Sequence, residues 1–133
     1  MRKTVYVVDD NATSLTVAED ALSKHYRVIA LSSAEKMFSA LEKFNPDLIL
    51  LDVEMPRMNG FEAMKQLKAE GFSIPVIFLT SLSDPVSEAH GIELGAVDFI
   101  MKPFSVPVLL NRVKYHLNID GLIRERTQQL VRL

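Results

Sequence analysis

Five short apolar runs punctuate the chain, and each gives way to polar residues before a stretch whose apolar positions return every three or four residues. Thr4 to Val8 is β-branched and aromatic and stops at Asp9, Asp10 and Asn11, the pattern of a buried strand followed by a polar turn. Leu15, Ala18, Ala21 and Leu22 then recur at helical spacing, predicting an amphipathic helix capped by Asn11. Tyr26 to Leu31 is a second strand, polar at its start as an edge strand would be. Ser32 followed by Glu35 reads as a capping box opening a second helix with Met37, Phe38, Leu41 and Phe44. That helix must end by Asn45, because Pro46 disfavours helical geometry in the residue before it.

Leu48 to Leu51 is an uninterrupted apolar run ending on Asp52, which suits a central parallel strand covered on both faces. Asn59 and Glu62 can cap a third helix reaching about Glu70, closed by Gly71. Ile74 to Leu79 is a fourth strand, with Pro75 at its start and Thr80 at its end. Asp84 and Pro85 open a fourth helix as cap and first-turn proline, and Gly95 closes it. Gly91 weakens that helix by about 1 kcal/mol relative to alanine, which predicts the most mobile element. Val97 to Met101 is a short fifth strand ending at Lys102 and Pro103, and Ser105 opens the last helix. Five strands alternating with five helices give an α/β fold: a parallel sheet covered on both faces through right-handed crossovers.

Composition narrows the function. At 133 residues the chain is one domain with room for a real core. A net charge of -2 gives no electrostatic footprint for nucleic acid, so direct nucleic-acid binding is not expected. The absence of cysteine excludes disulfides, thiolate metal sites and thiol nucleophiles. The N-terminus runs straight into a strand and no segment approaches the ~18 apolar residues of a membrane helix. A cytoplasmic protein with no membrane partner is the expectation.

Four strands end on reactive residues: Asp9 with Asp10, Asp52, Thr80 and Lys102. In a parallel sheet these ends share one edge, where open α/β folds bind ligands. Carboxylates ~4 Å apart repel by about 1 kcal/mol in water and about 4 kcal/mol at an effective dielectric of 20, so the cluster calls for a cation or a raised pKa. Oxygen-only ligands favour a hard ion such as Mg²⁺. With a lysine opposite, such a pocket neutralises a transferred phosphoryl group from two sides, and one carboxylate is left to attack it.

An acidic pair after the first strand, a lone Asp after the third, Thr after the fourth and Lys-Pro after the fifth, with Met55 to Gly60 matching Met-Pro-x-Met-Asn-Gly, resembles the receiver domain of two-component response regulators. The likeness runs from about Lys3 to Leu117. It implies a flavodoxin-like doubly wound sheet of strand order 2-1-3-4-5. It also implies that Asp52 is the phosphoacceptor, served by a sensor histidine kinase or phosphotransfer protein. Asp10 would then bind Mg²⁺ directly, Asp9 through water, Asp52 as a further ligand and Glu54 through its backbone carbonyl. Lys102 would pair with Asp52, Thr80 would bond a phosphoryl oxygen, and Phe99 would be the aromatic that follows Thr80. The Lys102-Pro103 bond would be cis. The chain would catalyse only its own phosphotransfer and slow autodephosphorylation. Phosphorylation would alter the surface of the fourth helix, fifth strand and fifth helix, through which a homodimer could form. Glu54 and Leu82 would together set the phosphoryl lifetime, either by orienting a hydrolytic water or by shielding the site.

The domain is assigned to residues 1–117 and a helical extension to 118–133, leading to an output or effector domain. Leu109, Arg112, His116, Ile119, Ile123, Arg126, Leu130 and Leu133 keep helical spacing in a seam too polar for a confident coiled coil; Arg124 to Arg126 look solvated and His116 looks like a surface or interface residue. Rival classes are a flavodoxin-like cofactor binder, a Mg²⁺-dependent phosphatase and a pure interaction module. The acidic Asp9-Asp10 loop argues against the first. The second usually attacks from an Asp on the first strand, and the third leaves every reactive position unexplained.

Overall fold

The computed structural model describes residues 2–81 and 85–132, with side-chain surroundings given through Ile119. The described residues form β1 (Thr4–Val8), α1 (Ala12–Leu22), β2 (Arg27–Leu31), α2 (Ala34–Leu41), β3 (Leu48–Asp52), α3 (Gly60–Ala69), β4 (Val76–Thr80), α4 (Pro85–Glu93), β5 (Asp98–Met101) and α5 (Val106–Arg132). The strands make one parallel sheet in the order β2-β1-β3-β4-β5. The family resemblance implied this order, and the polar start of β2 matches its place at the edge.

Alternation along the strands divides the core in two. Tyr6, Val8, Ile49, Leu51 and Phe78 face one side, where Met37 and Leu41 of α2 and Ala63, Met64 and Leu67 of α3 cover them. Val5, Val7, Leu48, Leu50, Ile77 and Leu79 face the other, against Ala18 and Leu22 of α1 and Leu109, Val113 and Leu117 of α5. Both faces of β3 and β4 are thus dry, so their ends are fixed by packing rather than by the loops that follow.

Local signals mostly place the helices. The Asn11 side chain accepts from Ser14 N at 2.9 Å, and the Asn59–Glu62 capping box is complete in both directions. Gly71 and Gly95 follow helix ends with φ of +86° and +101°, where a side chain would be strained. The second helix departs from expectation. Its cap is Ser33, whose Oγ accepts from Lys36 N at 3.1 Å, while Ser32 Oγ accepts instead from the Lys36 ammonium. With the start shifted by one residue, Glu35 falls too early for a capping box and lies in the first turn, where the helix dipole favours an acid.

Gly91 is buried, so its sequence reading as a mere weak point in α4 omits a packing constraint. The last helix runs unbroken to Arg132. Its expected seam divides within the described part: Leu109 belongs to the core, while Arg112 and His116 both bond Asp98. Asp84, Leu82 and Leu133 lie outside the described residues, as do the side chains of Ile123, Arg124, Glu125, Arg126 and Leu130.

Candidate functional site

The ends of β1, β3, β4 and β5 meet at one edge of the sheet. Asp52 is the last residue of β3 and is 2% exposed; Asp9, just beyond β1, is 0% exposed. Asp10 is exposed beside them. One carboxylate oxygen from each of the three lies within 4.8 Å of the others, close enough for a single hard cation to draw on all three. Above them opens a cavity of about 400 Å³ lined by Asp10, Asn11, Asp52, Glu54, Ser81 and Lys102, among others.

Lys102 is the counter-charge. Its Nζ lies 2.8 Å from Asp9 Oδ2 and 3.2 Å from Asp52 Oδ1, so the expected Lys102–Asp52 pair is a triad in which the nearer acid is Asp9. The reason is placement: Asp9 points inward, where Asn11 N donates to its Oδ1 at 2.9 Å. The contact with Lys102 is ionic, and Asp9 Oδ2 accepts no hydrogen bond of good geometry among the described residues. A buried carboxylate oxygen left in that state is what a bound cation, directly or through its water, would satisfy. The donor set fits Mg²⁺.

Electrostatics divide the acids. Burial, then the Asp9 charge, push Asp52 up to about 7, against the lowering effect of Lys102. Burial works to lower Lys102, but its close ionic contact with Asp9 and the charge of Asp52 outweigh this and hold it above its ordinary value. Without a second cation the pocket carries more negative charge than one lysine neutralises.

Gly60 brings α3 against this site. A Cβ there would overlap the backbone oxygen of Asp52 and lie 2.9 Å from Val53 Cα, and Gly60 N donates to Val53 O at 2.9 Å. Thr80, 1% exposed, ends β4. Lys102 N donates to Thr80 O at 2.8 Å, and the Lys102-Pro103 peptide is cis. Phe99 is half-buried, paired with Phe78 across β4 and β5. Six of the seven sequence-derived site positions fall in one neighbourhood, with Asp9, Asp10, Asp52, Glu54 and Lys102 around the cavity and Thr80 at the end of the strand beside it, whereas Phe99 lies three residues before Lys102 on β5, with its ring against Phe78 and Gly91.

A family model described as the response regulator receiver domain matches residues 5–114. The chain belongs to this family. Over 116 residues the receiver domain is 41% identical to a probable cyclic di-GMP phosphodiesterase of Vibrio cholerae, covering 86% of this chain and 26% of that protein. It is 37% identical over 115 residues to the alkaline phosphatase synthesis transcriptional regulatory protein PhoP of Bacillus subtilis, covering 86% and 48%. The chain thus spans half or less of the length of these relatives. Its fold matches the BeF3-activated receiver domain of DrrB, a Thermotoga maritima protein, with TM-score 0.82 and 33% identity over 89% of this chain and 99% of that one.

Two features of the receiver domain escaped the sequence. Ser81 Oγ donates to Glu54 Oε1 across the cavity mouth; neither residue carries a spacing signal that would join them. His116, read from the sequence as a surface or interface residue, has its Nε2 3.0 Å from Asp98 Oδ2, and Arg112 Nη1 reaches the same carboxylate at 2.8 Å and 2.9 Å. Burial works to raise the Asp98 pKa, but the His116, Phe99 N and Arg112 bonds hold it below the ordinary carboxylate value. The i, i+4 spacing of Arg112 and His116 was visible, but their shared partner on β5 was not. No helix among the described residues is long and apolar enough to cross a membrane.

Proposed function

We propose that Asp52 accepts a phosphoryl group from a phosphohistidine on a partner histidine kinase or phosphotransfer protein. A carboxylate oxygen of Asp52 bonds to phosphorus as the phosphorus–nitrogen bond breaks, and the electron pair leaves with the imidazole, which takes up a proton. Asp10 and Asp52 would hold Mg²⁺ directly, with Asp9 acting through water and Glu54 through its backbone carbonyl. The ion would supply charge neutralisation for the phosphoryl oxygens from one side. Lys102 supplies it from the other, and Thr80 donates its hydroxyl to a phosphoryl oxygen. The observation that carries this reading is the convergence of three carboxylate oxygens within 4.8 Å on a lysine 3.2 Å from Asp52.

Added charge at Asp52, about -1.5 to -2 for a phosphoryl group, rearranges Thr80 and Phe99 and so alters the face formed by α4, β5 and α5. That face carries Val86, Ile92, Val97, Met101, Val108 and Tyr115, all exposed, a concentration of apolar surface suited to a partner or a second copy. Residues 118–132 of α5 would lead to an output domain; the relatives above are named as a phosphodiesterase and a transcriptional regulator. The test is incubation with acetyl phosphate and Mg²⁺ followed by intact mass and elution volume. Gain of one phosphoryl mass, lost in Asp52→Asn, is expected. Equal incorporation by that variant overturns the assignment.

A further inference from the structure

Gly91 sits where α4 comes closest to Phe99. A Cβ placed at residue 91 would overlap Cζ of the Phe99 ring and lie 2.7 Å from its Cε2, well inside the ordinary carbon contact of about 3.5–4.0 Å. It would also lie 3.2 Å from Cδ2 of Phe78. The two rings are not equally free to yield. Phe78 is completely buried in β4 and held edge-on by Phe61 at 5.2 Å. Phe99 is half-buried on the edge strand β5, 5.4 Å from Phe78, and beside it a groove of about 450 Å³ runs past Ile92, Met101 and Arg112. A side chain at 91 is therefore accommodated by moving Phe99.

We propose that Gly91 is the seat of the switch ring: a missing side chain at this one position lets Phe99 rest on the α4 backbone, and that contact couples the phosphoacceptor pocket to α4. The inference rests on the reading of Asp52 and Phe99 given above and adds the element the ring acts on. The connection to the pocket is short. Phe99 pairs with Phe78 and Met101 with Thr80, while Lys102 N donates to Thr80 O. Displacement of Thr80 therefore acts on the strand that carries the ring, and movement of the ring on or off Gly91 changes the support of α4 beside exposed Ile92. With any larger residue at 91 the seat is filled, and Phe99 is held off it whatever the state of Asp52.

The chain contains seven phenylalanines, few enough for fluorine NMR of protein labelled with 4-fluorophenylalanine, the Phe99 signal being assigned by its loss in Phe99→Leu. In the parent, beryllofluoride with Mg²⁺ shifts the Phe99 signal. In Gly91→Ala the signal starts displaced and does not move on adding the same reagents. A Gly91→Ala protein whose Phe99 responds as the parent's does overturns the proposal. A motionless Phe99 in the parent instead sinks the switch reading, and with it the coupling. Melting temperatures test the seat apart from the switch. Gly91→Ala melts below the parent, but made in the Phe99→Leu background it melts at or above Phe99→Leu, because alanine is the better helix former once the ring is gone. Should the single variant fail to fold, recovery of folding in the double variant supports the seat in the same way. If Gly91→Ala raises the melting temperature of the parent, there is no seat.

Discussion

Replacing Asp52 with asparagine should stabilise the metal-free protein at alkaline pH, although it removes the proposed phosphoacceptor. Two carboxylates whose oxygens lie within 4.8 Å repel by about 3.5 kcal/mol at an effective dielectric of 20. Lys102, shared between Asp9 and Asp52, offsets only part of that. The net result is an Asp52 whose pKa rises from 3.8 to about 7, through burial first and the Asp9 charge second. An acid whose folded pKa exceeds its unfolded one lowers stability when ionised. The loss begins near pH 4, grows to about pH 7 and is constant above it. At 1.36 kcal/mol per unit the ceiling is about 4 kcal/mol. The cavity mouth is open to water and the asparagine amide keeps part of the burial cost, so we expect about 1–3 kcal/mol at pH 8. That is roughly 4–12 °C in melting temperature at about 4 °C per kcal/mol. Melting curves of parent and Asp52→Asn at pH 4, 6 and 8 without divalent cation check this. The gap should open as pH rises, and Mg²⁺ should close it by raising the parent. A variant no more stable than the parent at pH 8 would refute the claim that the pocket is electrostatically strained.

Other expectations follow from single contacts. Asp98→Asn should melt below the parent at pH 7 and converge with it below about pH 4, because a carboxylate held below its usual range contributes only while ionised; a gap unchanged down to pH 3 contradicts this. Gly60→Ala drives a Cβ into the Asp52 backbone, which cannot move aside as a side chain can, so urea unfolding should show a loss above about 2 kcal/mol. Parent-like stability would mean that the approach of α3 is looser than the structure has it. Tyr6→Phe loses the hydrogen bond from the Tyr6 hydroxyl to Phe44 O at 2.6 Å and should lose about 1 kcal/mol in the same assay; no loss would mark the bond as energetically silent.

The fold was legible because its signals are local. An apolar run of four or five residues ending on a polar one marks β1, β3 and β4 without reference to anything distant; Asn11 and Asn59 begin helices through their own side chains, and Gly71 and Gly95 follow helix ends through their own backbones. The Ser33 cap was missed because Ser32 and Ser33 are adjacent and both chemically able; the choice is made by the extended path of the chain at Ser33, φ −157°, which packing imposes. The site was legible as a set, since strand ends of a parallel sheet share an edge, but its pairings were not. Nothing in the spacing says that Lys102 prefers Asp9 to Asp52, or that Arg112 and His116 share Asp98. Those are distances between elements far apart in sequence or set by packing: β5 against β1 and β3 for Lys102, and α5 against β5 for Asp98.

The pocket and the exposed face are bridged by two neighbouring strands, β4 and β5, and this limits how a signal can pass between them. β4 carries Phe78 and Thr80, β5 carries Phe99 and leads into Lys102; Phe78 and Phe99 are in direct register, and Lys102 N donates to Thr80 O. On the proposed reading, a change at Asp52 reaches the face within three residues of chain and requires no rearrangement of the dry centre of the sheet. The energy available is correspondingly small. Inverting a population from 1:99 to 99:1 needs about 5.5 kcal/mol of differential stabilisation, whereas one hydroxyl bond to a charged group contributes about 1.5–3 kcal/mol and one ring contact about 0.5–1.5. An isolated receiver domain should therefore switch incompletely, and association through the apolar residues of α4, β5 and α5 would supply the remainder. The phosphorylated fraction in the switched state should accordingly rise with protein concentration. Phe99 fluorine spectra that do not change across a hundredfold dilution would place the whole switching energy within one chain, leaving association no part in the switch.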